Sequence, residues 1–160
     1  LESEALKEKV LERLGEMPEE LRQRAPSKDA WSASEVVEHL IITEEQAAGP
    51  WRDSLRKNPS VVPLGIRSKV VTAMLAVGLG RSNMRVPTLP ELVPHGGLSL
   101  ADLSLRWSIS RVDLAGALPE NSEVAWTTHP AFGPLSSAQI GKILVAHLKH
   151  HLRNWPQVGK

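Results

Sequence analysis

Apolar residues recur at helical spacing in four separate stretches of the chain. Leu6, Val10 and Leu14 form one stripe, and Val36, Leu40, Ala47 and Trp51 form a second. Leu100, Leu103, Trp107 and Leu114 form a third, and Ile140, Leu144, Leu148, Leu152 and Trp155 a fourth. On a helix turning about 100° per residue each set gathers on one side, and in the fourth Lys142, Lys149 and Arg153 fall opposite. Proline interrupts a helix by removing a backbone donor and clashing with the preceding turn, so helices are expected inside the proline-free windows. Those windows are 1–17, 27–49, 64–86, 95–118 and 135–155. Alternation of period two is confined to the short stretch Glu123–Thr128.

Local signals sharpen the helix boundaries. Ser32 with Glu35, and Ser136 with Gln139, have the spacing of a capping box, flanked by the apolar pairs Trp31/Val36 and Leu135/Ile140. Ser99 and Asp102, between Leu98 and Leu103, offer a similar start. The first helix is expected to stop near Gly15 and Pro18, with a short extra turn over Pro18–Leu21. Main helices are therefore predicted at 2–15, 33–48 or beyond, 100–117 and 137–154, with a short fifth one within Ile66–Leu79. The 58–98 stretch is otherwise irregular, rich in proline and glycine. The expectation is an all-α fold, one domain over 1–160.

Composition then removes several functions. The 160 residues are 41% hydrophobic and 23% charged with a net charge of +1, which argues against a disordered chain and against a concentrated nucleic-acid-binding surface. The chain contains no cysteine, so disulfides, thiolate metal sites and a cysteine nucleophile are excluded. The uncharged stretch Val70–Gly80 is about half of the ~20 residues a membrane crossing needs, so no membrane partner is expected. The charged first turns show no leader pattern, and the expected location is cytoplasmic. A homodimer through the apolar 70–79 stretch is an open expectation.

The candidate chemistry lies in the fourth stripe. His147 and His151 sit inside it, one turn apart, so both imidazoles can reach one metal ion. The competing reading is a polar network, because buried rings need hydrogen-bond partners. His39, at the edge of the second stripe, can look along a groove between helices and supply a third ligand. Three histidines from two helices would leave a coordination position open, as catalytic sites do. Such ligands must be neutral, so metal affinity is expected to fall below roughly pH 6.5.

The run from Trp31-Ser32 through His39-Leu40, then His129-Pro130-Ala131-Phe132-Gly133-Pro134-Leu135-Ser136, then His147-Leu148-Lys149-His150-His151-Leu152, resembles the DinB-like superfamily. Within it the likeness is to the YfiT-like branch, assigned as metal-dependent enzymes. The resemblance implies an up-down-down-up four-helix bundle whose long crossover corresponds to 58–98. It implies a divalent metal (zinc, nickel or iron) held by His39, His147 and His151. Better-understood members are metal-dependent transferases and isomerases that use low-molecular-weight thiols. With no cysteine in the chain, the substrate would have to bring the sulfur; with water in its place the same arrangement supports hydrolysis.

Other candidates carry two readings each. Glu44 could orient a ligand ring or accept a proton, although solvent contact at a bundle end is the favoured reading. Arg111 could pair with a substrate carboxylate or snorkel to solvent over a tryptophan. His129 and His150 are candidates to support the ligands from behind, and His95 reads as a solvated loop residue. Three functions stay open: a metal-dependent enzyme acting on a small molecule, a thiol S-transferase or hydrolase; a non-catalytic metal- or ligand-binding bundle; and a structural bundle whose histidines form a polar network.

Overall fold

The helix starts marked in the sequence are realised as reciprocal caps. The Ser32 N–H donates to Glu35 Oε2 at 2.7 Å while the Glu35 N–H donates to Ser32 Oγ at 3.2 Å. Ser136 and Gln139 close the same box at 3.0 and 3.3 Å, and Ser99 and Asp102 at 3.2 and 3.1 Å. Each box satisfies amide groups that a helix start otherwise leaves without partners. At the other end of the first helix, the Arg22 guanidinium donates to the carbonyls of Leu14, Gly15 and Met17.

The computed structural model describes residues 2–56, 62–63, 70, 73, 78, 88–117, 124–129 and 133–157. Its helices are α1 (Glu2–Gly15), the short α2 (Glu19–Arg22), α3 (Ala33–Arg56), α4 (Leu100–Ala117) and α5 (Ser137–Arg153). A 3-10 turn spans Pro90–Leu92. These match the predicted spans, α3 taking the longer of its two options by continuing through Pro50, where its ladder loses one donor. The helix expected within 66–79 falls outside the described residues, apart from Val70, Ala73 and Gly78, which are helical.

The helices pack as a bundle around two apolar clusters. The larger joins Val10 and Leu14 of α1, Val36, Val37, Leu40 and Ile41 of α3, Leu103 and Trp107 of α4, and Leu148 of α5 with Trp155 beyond it. The smaller joins Ala48, Leu114, Leu135, Ile140 and Leu144. The helical bundle is as expected, and a small sheet adds to it. Strands β1 (Val62–Pro63), β2 (Val124–His129) and β3 (Gly133–Ser136) pair antiparallel in that order. Strand β2 lies where the sequence alternates. Both prolines of the sheet, Pro63 and Pro134, are on the edge strands, where a missing donor breaks no central ladder. The sheet positions chemistry indirectly, because Ser136 both ends β3 and caps α5. Among the described residues no helix is long and apolar enough to cross a membrane.

Candidate metal centre

Helix α5 carries His147 and His151 one turn apart, and α3 brings His39 against them. Their Nε2 atoms converge: His147 Nε2 lies 2.9 Å from His151 Nε2 and 3.2 Å from His39 Nε2. Ring centroids are 4.6–5.1 Å apart, with the planes steeply inclined. The three donor atoms all lie within 4.8 Å of one another. Nitrogens bound to one ion at ~2.0–2.1 Å, at angles of about 90–110°, stand roughly 2.9–3.4 Å apart. The two contacts of His147 fall in that range and the third pair lies within 4.8 Å, so this donor set could hold a metal ion.

The orientation of His39 is fixed from behind. Its Nδ1 is 2.8 Å from the Leu92 carbonyl, and a carbonyl oxygen only accepts, so Nδ1 carries the proton. The neutral ring therefore turns the Nε2 lone pair toward the other two histidines. Trp31 lies across the same ring at a centroid distance of 4.7 Å. His39 is buried, whereas the residues His147 and His151 each keep some exposed surface.

Proton counting disfavours a closed polar network here. His147 Nε2 faces both other Nε2 atoms but holds either one proton or one lone pair. With His39 Nε2 unprotonated, neutral rings can make at most one good hydrogen bond across the two contacts. Charging a ring is opposed by its surroundings. Burial, reinforced by the neighbouring histidines, pushes His147 down to about 3 and His151 down to about 2. Burial also lowers His39, partly offset by its bond to Leu92. Among the described residues no carboxylate hydrogen-bonds these rings. The neutral state that a metal requires is thus maintained well below pH 6.5. The expected loss of metal affinity below that value moves to more acid conditions, because the reference value belongs to a solvated ring.

The remaining candidates lie elsewhere. Glu44 is 2% exposed and does not reach solvent, contrary to the favoured reading of the sequence. It accepts from Trp107 Nε1 at 3.0 Å and from Arg111 Nε and Nη2 at 2.6 and 2.7 Å. Burial pushes the Glu44 carboxyl up, while Arg111 and the Trp107 N–H pull it back. Arg111 does lie over Trp107, with 5.9 Å between its guanidinium carbon and the ring centroid. It is not free to snorkel, because it also bonds the Ser3 carbonyl and hydroxyl. Glu44 and Arg111 are thus bound to each other and not brought to the histidines. His150 packs its ring 5.3 Å from that of His151 and sits beside Asn154, outside the convergent set. His129 belongs to β2, and its side chain lies outside the described residues. The His95 side chain is exposed, as expected of a loop residue.

Sequence reasoning missed Glu38. Its side chain is 2% exposed, and Oε2 accepts from the His95 and Gly96 amides at 3.0 and 2.7 Å. The available signal was its helical phase, one turn before the core residues Ile41 and Ile42.

No curated protein and no solved structure matches the chain. A family model described as DinB superfamily matches residues 3–154. Together with the three-histidine cluster its two long helices build, that match makes this protein a member of the DinB superfamily.

Proposed function

We propose that this protein is a metal-dependent enzyme acting on a small molecule, and specifically a low-molecular-weight-thiol S-transferase or a hydrolase. The observation that carries the proposal is the convergence of three Nε2 atoms that neutral rings cannot satisfy among themselves. His39, His147 and His151 would hold the ion. A bound divalent cation (zinc, nickel or iron) would supply Lewis acidity, favouring the deprotonated form of a thiol or water brought beside it. The chain's own part is to hold neutral donors in place. Helix α5 sets His147 and His151 at fixed separation, and the Leu92 carbonyl fixes the His39 tautomer. The cysteine-free chain leaves any reacting sulfur to be supplied by the substrate.

The order up-down-down-up is proposed for α1, α3, α4 and α5. It is supported by the early residues of α3 and α4 sharing the larger cluster with the late residues of α1 and α5. It is also supported by Arg111, late in α4, bonding Ser3, early in α1.

The test is metal analysis of untagged protein, followed by turnover of a thiol panel with an electrophilic acceptor and of hydrolysable esters and amides. The expected result is one ion per chain and a turnover that His147→Ala removes. Stoichiometric metal without turnover of any of these would favour a binding protein, and absence of metal would refute the proposal.

A further inference from the structure

The segment 92–97 is tied to α3 at two adjacent positions. The His39 ring donates to the Leu92 carbonyl, and the Glu38 carboxylate receives the amides of His95 and Gly96 on a single oxygen. Two consecutive amides can turn toward one oxygen because the chain here is bent by Gly96 and Gly97. Their φ angles of +77° and +78° lie in the left-handed region that glycine enters without strain. The other Glu38 oxygen is 3.3 Å from Arg106 Nη1, and Arg106 is itself held by Glu45 through Nε and Nη2 at 2.9 and 2.7 Å.

We propose that Glu38 is a positioning residue for the histidine cluster: by gripping the 95–96 backbone it holds the Leu92 carbonyl against His39 Nδ1. His39 Nε2 is thereby kept unprotonated and aimed at His147. The inference rests on the metal-site reading above for its consequence, but its immediate claim concerns the tautomer of one ring. Only two residues separate Leu92 from His95, so slack introduced at one anchor passes to the other. Partners behind a ligand of this kind typically change metal affinity by about ten- to a hundredfold when removed.

The test uses the full-length chain with Co(II) as the probe, titrated by visible absorption, and ¹⁵N spectra of the metal-free protein to read the His39 tautomer. Glu38→Leu is expected to weaken Co(II) binding by about ten- to a hundredfold and to erase the single Nδ1–H tautomer of His39. Glu38→Gln, which keeps an acceptor oxygen, is expected to restore the tautomer and bind within a few-fold of wild type. Glu45→Leu removes an ion pair of Arg106 without touching the segment and should leave both readouts unchanged. A purely structural role would lower stability in Glu38→Leu while leaving tautomer and affinity intact, and that result overturns the proposal. If Glu38→Leu does not fold, Gly96→Ala decides: it strains the bend with the carboxylate still present. The same losses support the proposal and unchanged readouts overturn it. A wild-type chain that binds no Co(II) would defeat the metal reading, while the tautomer measurement would still decide the role of Glu38.

Discussion

Two buried polar clusters share helix α3, and they differ in whether their charges and protons balance. Glu44 faces α4, where a guanidinium and an indole N–H supply donors to its two oxygens. His39, five positions earlier and thus about 140° around the helix, faces α5, where it meets the imidazoles of His147 and His151. The first cluster pairs an acid with donors and is complete as it stands. The second brings three like groups to one point, with no carboxylate bonded to them among the described residues and at most one good hydrogen bond across their two close contacts. A polar cluster that is satisfied internally reads as a structural tie. One that is convergent and unsatisfied reads as a place for a ligand.

If that contrast is right, damage to the two clusters should separate cleanly into stability and binding. The largest stability effect is expected from Glu44→Ala, which strips Arg111 of its close buried carboxylate, leaving it Glu4 at 3.4 Å, and leaves the Trp107 N–H without its acceptor. A loss of about 3–5 kcal/mol by chemical denaturation is expected, with metal content unaltered. An effect below ~1 kcal/mol would mean that water replaces the carboxylate easily.

Next comes the response to metal. A ligand present at a hundred times its dissociation constant raises stability by about 2.7 kcal/mol, and zinc should do so for the wild type. His147→Ala should abolish that gain while costing the metal-free protein little. Retention of the gain in the variant would place the binding site elsewhere.

Acidification should act more gradually. The histidines of the folded, metal-free chain have pKa values lowered below 6.5, to about 3 for His147 and about 2 for His151. The unfolded chain therefore binds more protons between pH 6.5 and about 2. Their contribution to stability is fully present above pH 6.5 and is lost as pH falls through that window. The melting temperature of metal-free protein should drop across it, and His151→Ala should flatten the profile throughout. An identical slope in the variant would contradict the assignment.

The smallest effect is expected from Ser136→Ala. It removes a cap at the start of α5, at the far end of the helix from His151. A cost of ~1 kcal/mol, or roughly 2–4 °C in a domain of this size, should come without change in metal affinity. A loss of affinity would show that the centre depends on how α5 is anchored at its first turn.

The sequence made local features legible and left the long-range ones hidden. Helix caps at Ser32, Ser99 and Ser136 depend on residues three positions apart, and all form as their spacing indicates. His147 and His151 were placed together by helical periodicity alone. His39 required knowing which helices are neighbours, which its own surroundings do not reveal; the resemblance supplied that. The fate of Glu44 turned on Arg111, 67 positions away, so its helical phase marked it as inward without naming its partner. The Glu38 bond to the 95–96 amides spans 57 and 58 positions and involves backbone donors, which carry no residue-type signal at all. The small sheet was visible only in its middle strand, since β1 is two residues long and both edge strands contain proline.

X-ray absorption at the metal edge of stoichiometrically loaded protein tests the central claim most directly. Three imidazole nitrogens at roughly 2.0–2.1 Å are predicted, together with at least one exchangeable oxygen or sulfur neighbour contributed by no residue of the chain. Coordination dominated by carboxylate oxygens, or a spectrum unchanged in His39→Ala, would contradict it.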